Sequence, residues 1–105
     1  MRKEMIRGHL DMLVLSIVTR GSSHGYAIAE QLRLASGGAF DLPEGTLYPA
    51  LYRLEEDGWL TSEWTVVEGR RRRIYRITQA GRRELAHKHK EWSSFSAAVS
   101  GVVRT

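Results

Sequence analysis

Three features of the sequence predict a mainly α chain with one small β-hairpin. Apolar residues recur at helical spacing in four separate segments. One stretch, "WLTSEWTVVEGRRRRIYRIT", is rich in aromatic and β-branched residues around a central turn, as a hairpin requires. The last segment repeats its apolar residues every seven positions, the signature of a helix with a packing seam.

The first helix is predicted over residues 9–20, "HLDMLVLSIVTR". Leu10, Leu13, Val14 and Ile17 form one stripe, and Met12, Leu15 and Val18 widen it beyond a single face. A helix apolar nearly all round is buried on more than one side, and in so short a chain this predicts burial against a second subunit. Gly21 stops it. Ser22 or Ser23 is the expected cap of the next helix, "HGYAIAEQLRLAS", since a serine oxygen accepts from the free N–H groups of a first turn. Tyr26, Ala29, Leu32 and Leu34 are its expected apolar contacts, and Gly37-Gly38 ends it.

The third helix is "PEGTLYPALYRLEEDG", residues 43–58, with Leu47, Ala50, Leu51 and Leu54 on one face. Spacing at 100° puts Gly45, Pro49, Tyr52, Arg53 and Glu56 on the other, with Thr46 and Tyr48 at its edges. Pro49 costs about 3 kcal/mol inside a helix. Its presence predicts a start near Glu44 or Gly45, where its missing N–H would be unpaired anyway. The run Glu55, Glu56, Asp57 reads as a solvated helix end, and Gly58 closes the segment.

Two strands flank a Glu68-Gly69 turn, with Gly69 and Arg70 at the hairpin tip. Alternation puts Tyr75 and Ile77 on the core side and Ile74 and Arg76 on the other. Arg71 and Arg73 extend the first face beyond the core, and Arg70 and Arg72 extend the second. Trp59 is expected to pack the hairpin onto the helices. Thr78 caps the final helix, Gln79 to Val103, in which Leu85, Trp92 and Val99 share a heptad position, as do Lys88, Phe95 and Val102.

Composition limits the function. The chain has 105 residues, which fits one domain. Its expected organisation is one structural domain, with the three helices and the hairpin over 1–78 continued by a dimerisation helix over 79–105. The net charge of +4 favours a polyanion, nucleic acid or an acidic membrane surface, without choosing between them. The absence of cysteine excludes disulfides, thiol catalysis and cysteine-ligated zinc. "MRKEMIRGHLDMLVLSIV" has a basic start before an apolar run, but Asp11 interrupts it and no small-residue cleavage site follows, so no signal peptide is expected. No stretch approaches a membrane-spanning length. A cytoplasmic protein without membrane contact is the resulting expectation.

Two short helices, a third with a polar outward face and a basic-tipped hairpin make up a winged helix-turn-helix. A DNA major groove admits one α-helix and carries the sequence code on its edges. Small residues at the start of the 44–57 helix let its backbone approach that groove. Four arginines in a row exceed what a solvated hairpin edge needs, and arginine suits phosphate and narrow minor grooves. The expected reading residues are therefore Gly45, Thr46, Tyr48, Pro49, Tyr52 and Arg53, with Arg70, Arg71, Arg72 and Arg73 on the wing. No catalytic constellation is present, so no enzyme, cofactor or metal is expected. His24 reads as a locally bonded helix-start residue, and His87 and His89 point apart on their helix.

The stretches "EGTLYPALYRLEEDGWLTSEW" and "GRRRRIYRITQAGRREL", with "LDMLVLSIVTRGSSHGYAIAEQL" and its His24-Gly25-Tyr26 signature, resemble the PadR family of bacterial transcriptional regulators. The resemblance covers roughly residues 10–92 and fits the compact branch with a single C-terminal dimerisation helix. It departs at the wing, where family members often carry proline or lysine. It implies a repressor that dimerises through its first and last helices, here Leu10, Leu13, Leu85, Trp92, Phe95 and Val99. It also implies that an aromatic at Trp92 faces a cavity where flat aromatic effectors bind, the other reading being that Trp92 and Phe95 only fill the dimer seam. A two-fold dimer predicts an inverted-repeat operator with half-sites roughly 10 or 20 bp apart. The rival reading is a winged-helix adaptor whose basic wing meets an acidic protein.

Overall fold

The computed structural model describes residues 3–104; residues 1, 2 and 105, the ends of the two expected segments, lie outside the described residues. The elements run α1 (Lys3–Arg7), α2 (Leu10–Thr19), β1 (Ser23–His24), α3 (Gly25–Ala35), α4 (Glu44–Glu56), β2 (Leu60–Val67), β3 (Arg70–Ile77) and α5 (Gln79–Val103). The fold class is mainly α with a small sheet, as the hydrophobic periods predict. Two short elements escape them. α1 is a single turn or so of helix, and β1 adds a third strand, giving the antiparallel order β1-β3-β2.

β1 also corrects the expected cap of α3. Ser23 pairs with Tyr75 and His24 with Ile74, so the serines lie before the helix and His24 stands at its entry. Its Nδ1 accepts from the Ala27 N–H at 3.3 Å, the place a serine oxygen was expected to fill. α3 then turns Ile28 and Leu32 into the core, while Tyr26 and Leu34, expected as contacts, face outward.

α2 is the centre of the subunit. It touches α3, α4, α5 and β3, which is why it is apolar nearly all round. Much of the apolar surface that suggested a second subunit is covered within the chain: Leu10 is only 6% exposed, and the half-buried Leu13 packs on the same core. That core joins Val14, Leu15 and Val18 to Ile28, Leu32, Leu47, Leu51, Leu54, Leu60 and Tyr75. Each large side chain taken from water there contributes about 1.5–3 kcal/mol.

α4 begins at Glu44 with Pro43 at its N-cap, and no side chain caps it. Pro49 therefore falls in the second turn, not in the first-turn position its missing N–H predicts. The Gly45 carbonyl loses its helical donor as a result. Gly45 is exposed, so solvent can serve that carbonyl. The helix closes with the Gly58 N–H on the Glu55 carbonyl at 3.0 Å and the Trp59 N–H on the Leu54 carbonyl at 3.0 Å. Gly58 has φ +80°, the left-handed turn that this double closure needs.

β2 and β3 pair in register from Leu60↔Ile77 to Val67↔Arg70. Glu68 and Gly69 alone form the turn, with φ of +52° and +76°, the two-residue type that matches strand twist. Arg70 is therefore the first residue of β3 and not part of the turn. Thr78 links hairpin and last helix: its Oγ1 accepts from the Gly81 N–H at 2.9 Å and donates to the Gly58 carbonyl at 2.7 Å. α5 starts against Trp59 and extends past the core. At 1.5 Å per residue it spans about 37 Å, most of the 56 Å long axis of the subunit.

Candidate nucleic-acid interface

α4 presents one uninterrupted face outside the core. Burying Leu47, Ala50, Leu51 and Leu54 leaves Gly45, Pro49, Tyr52, Arg53 and Glu56 exposed, with Thr46 half-buried and Tyr48 at the rim. Among the described residues, a Cβ built on Gly45 would meet no atom within 4 Å. No described residue requires glycine there, although glycine in a helix costs about 0.5–1 kcal/mol against alanine.

Tyr48 is held from behind. A Cβ on Gly25 would lie 2.6 Å from Tyr48 Cε1 and 2.8 Å from its hydroxyl oxygen. The first residue of α3 is thus a glycine because the Tyr48 ring occupies the space a side chain would need. His24, capping the same turn, has its pKa lowered by burial and then by the neighbouring Arg72 charge, which favours the neutral imidazole that accepts the Ala27 N–H.

Tyr52 has its hydroxyl pKa raised chiefly by a hydrogen bond to Glu56. Arg53 donates to the Asp11 carboxylate on α2. An arginine of the exposed α4 face is thereby tied to the start of the central helix.

The four wing arginines do not share one environment. Cross-strand pairing puts Arg71 and Arg73 on the face of Ser62 and Trp64, and Arg70 and Arg72 on the face of Thr65 and Val67. The Arg71 guanidinium lies 4.9 Å and that of Arg73 5.8 Å from the centre of the exposed Trp64 ring. Arg73 also pairs with Glu55 at 3.2 Å. Glu55 is thus not a solvated helix end, as the acidic run suggested, but a contact between α4 and the hairpin. Alternation had already set Arg73 on the Tyr75 side of the strand; its pairing with Glu55, a contact between two elements, had no local signal.

The heptad stripe of α5 divides in two. Leu85 packs on the core of its own subunit, and Lys88 lies with its Nζ 5.3 Å from the centre of the Trp59 ring. Beyond them Trp92, Phe95 and Val99 are exposed. A cavity of about 310 Å³ opens between this stretch, the α1–α2 junction and Arg53. His9, which the sequence did not mark, meets Trp92 edge to face with ring centres 4.9 Å apart. Among the described residues, no group of three or more His, Asp or Glu could hold a metal ion, and no helix is long and apolar enough to cross a membrane.

Comparison with known proteins gives this arrangement a family. Residues 14–87 match the transcriptional regulator PadR-like family. The chain is 36% identical, over 94% of its length and 90% of the relative's, to a transcriptional regulator of Mycobacterium tuberculosis. A transcriptional regulator from Clostridium thermocellum superposes with a TM-score of 0.87 at 33% identity, covering 94% of this chain and 97% of that one. A PadR family transcriptional regulator from Eggerthella lenta gives 0.83 at 37% identity, covering 97% and 88%. The fold is therefore shared with transcriptional regulators, and the chain belongs to the PadR-like family of transcriptional regulators.

Proposed function

We propose that the protein is a homodimeric, sequence-specific DNA-binding repressor that lays α4 in a major groove and the β2–β3 wing on the flanking backbone or minor groove. The observation that carries this reading is the outward face of α4. Gly45 has no neighbour among the described residues that requires it to be small, Thr46 follows it, and four arginines stand on the adjacent hairpin. Small groups at a helix start allow close approach to base edges, and arginine binds phosphate bidentately. Two copies related by a two-fold axis read an inverted repeat. The exposed Trp92, Phe95 and Val99 of α5 provide the self-complementary surface for that pairing.

The cavity at Trp92 supports a role for a small aromatic effector, which would act by preferring a dimer whose reading helices are differently spaced. Quenching of tryptophan fluorescence by aromatic compounds, abolished in Trp92→Ala, is the matching measurement.

Salt dependence tests the DNA reading. Duplexes recovered by genome-wide pull-down should bind with log K falling against log[salt] by about 0.9 per phosphate neutralised. Arg71→Ala with Arg72→Ala should flatten that slope by up to about two such steps. Failure to bind any recovered duplex specifically, at any salt, overturns the reading in favour of an adaptor that meets an acidic protein.

A further inference from the structure

Arg73 differs from Arg71, whose guanidinium lies over Trp64, in also forming an ion pair and a side-chain hydrogen bond. Its Nη2 lies 3.2 Å from Glu55 Oε1, and its Nε donates to Ser62 Oγ at 2.7 Å. The Ser62 hydroxyl lies 2.9 and 2.8 Å from the two Glu55 oxygens. Its single proton goes to the carboxylate while its oxygen accepts from Arg73. Glu55 sits in the last turn of α4, Ser62 in β2 and Arg73 in β3, so three elements meet at one charged knot. Trp64, directly across the ladder from Arg73, extends this line toward the tip by stacking with both Arg73 and Arg71.

The position of this knot is what makes it informative. β1 pairs only with Ile74 and Tyr75, so from Arg73 to the tip the hairpin is two-stranded. Two-stranded ribbons twist more than wider sheets and are marginal on their own. Something must set the direction of this one relative to α4. A carboxylate beside a DNA-reading face repels phosphate, so Glu55 opposes binding unless it contributes by another route.

We propose that Glu55, Ser62 and Arg73 form a brace fixing the angle between the wing and α4, with Trp64 passing that order to Arg71. These four are positioning residues for DNA recognition, and Arg73 is not a phosphate contact. The inference rests on the DNA-binding reading above. The Glu55–Arg73 pair is partly exposed, with side chains 26% and 41% accessible, so its loss should leave thermal stability nearly unchanged.

The test therefore has a sign. Simple electrostatics makes Glu55→Ala bind a pulled-down inverted-repeat duplex more tightly. The brace makes it bind about threefold to tenfold more weakly, with an unchanged salt slope. Arg73→Ala should lose a similar amount, again without a change of slope, and the double variant should be no worse than either single one. Arg71→Ala should instead flatten the slope by about 0.9. Tighter or equal binding by Glu55→Ala, or a slope change in Arg73→Ala matching that of Arg71→Ala, overturns the proposal. Hydrogen exchange of the free protein decides the brace without DNA: amides of residues 64–73 should exchange faster in Glu55→Ala, and unchanged exchange overturns it. A wild-type protein that binds no duplex overturns the DNA reading instead, and with it the purpose assigned to the brace.

Discussion

Helices α4 and α5 each leave a long face uncovered in the subunit, and the two faces have opposite chemistry. Outside the core, α4 shows Gly45, Pro49, Tyr52, Arg53 and Glu56, while the far half of α5 shows Trp92, Phe95 and Val99. Each helix also carries a glycine in its first turn, in opposite surroundings. At Gly81 of α5 a Cβ would lie 2.1 Å from the Trp59 carbonyl oxygen, so the reason is internal. At Gly45 of α4 a Cβ would meet no described atom within 4 Å, so packing does not require it. A polar, close-approach face beside arginines suits a charged polymer with grooves. An apolar stripe suits a second copy of itself.

The contrast can be broken most severely on the α5 side. Phe95→Glu with Val99→Glu should leave the fold intact and abolish the dimer in sedimentation at micromolar concentration. Operator affinity should fall with it by about 10²–10⁴-fold, the usual worth of a second linked contact. A dimer that survives this double change locates the pairing surface elsewhere.

The two glycines come next. Gly81→Ala should destabilise by about 1–3 kcal/mol or more, because the methyl would run into backbone that cannot yield cheaply. The midpoint in a denaturant titration should fall accordingly. Gly45→Ala should do the reverse, raising stability by about 0.5–1 kcal/mol while weakening operator binding several-fold. If Gly45→Ala leaves operator affinity unchanged, α4 does not bring its backbone close to a groove.

The smallest effect concerns pH and separates the two helices again. α5 is capped by Thr78, which does not titrate. The corner supporting α4 is capped by His24, whose pKa is lowered in the folded chain. The unfolded chain takes up this proton near the usual histidine value of about 6.5, and the folded chain only at lower pH. The stability that His24 contributes is thus full above about 6.5 and is lost as pH falls through the folded-state value. His24→Asn keeps a capping oxygen and should remove this part of the acid slope in unfolding experiments, with dimerisation unaffected. An unchanged acid slope would place the titrating group elsewhere.

Much of this was legible locally. The stripes Val14–Val18 and Leu47–Leu54, the Glu68-Gly69 turn and the Thr78 cap each depend on residues within a few positions of one another, where helical and strand periods apply directly. Other features depend on distant partners. β1 is two residues long and exists only because Tyr75 and Ile74 lie beside it. Its pairing moves the α3 cap from serine to His24. The burial of α2 by α3, α4, α5 and β3 has the same origin, since an all-round apolar helix has the same pattern whichever elements cover it.

By itself, then, the sequence determined which faces are apolar, which are polar and where the charge collects, because side-chain direction follows from local backbone geometry. Only the tertiary structure decided which of those groups already have partners. It set Arg73 against Glu55, Arg53 against Asp11 and the Tyr48 ring over Gly25. Residues 11 and 53, or 55 and 73, meet through packing of the common core, and no period within one helix or strand encodes a contact between two.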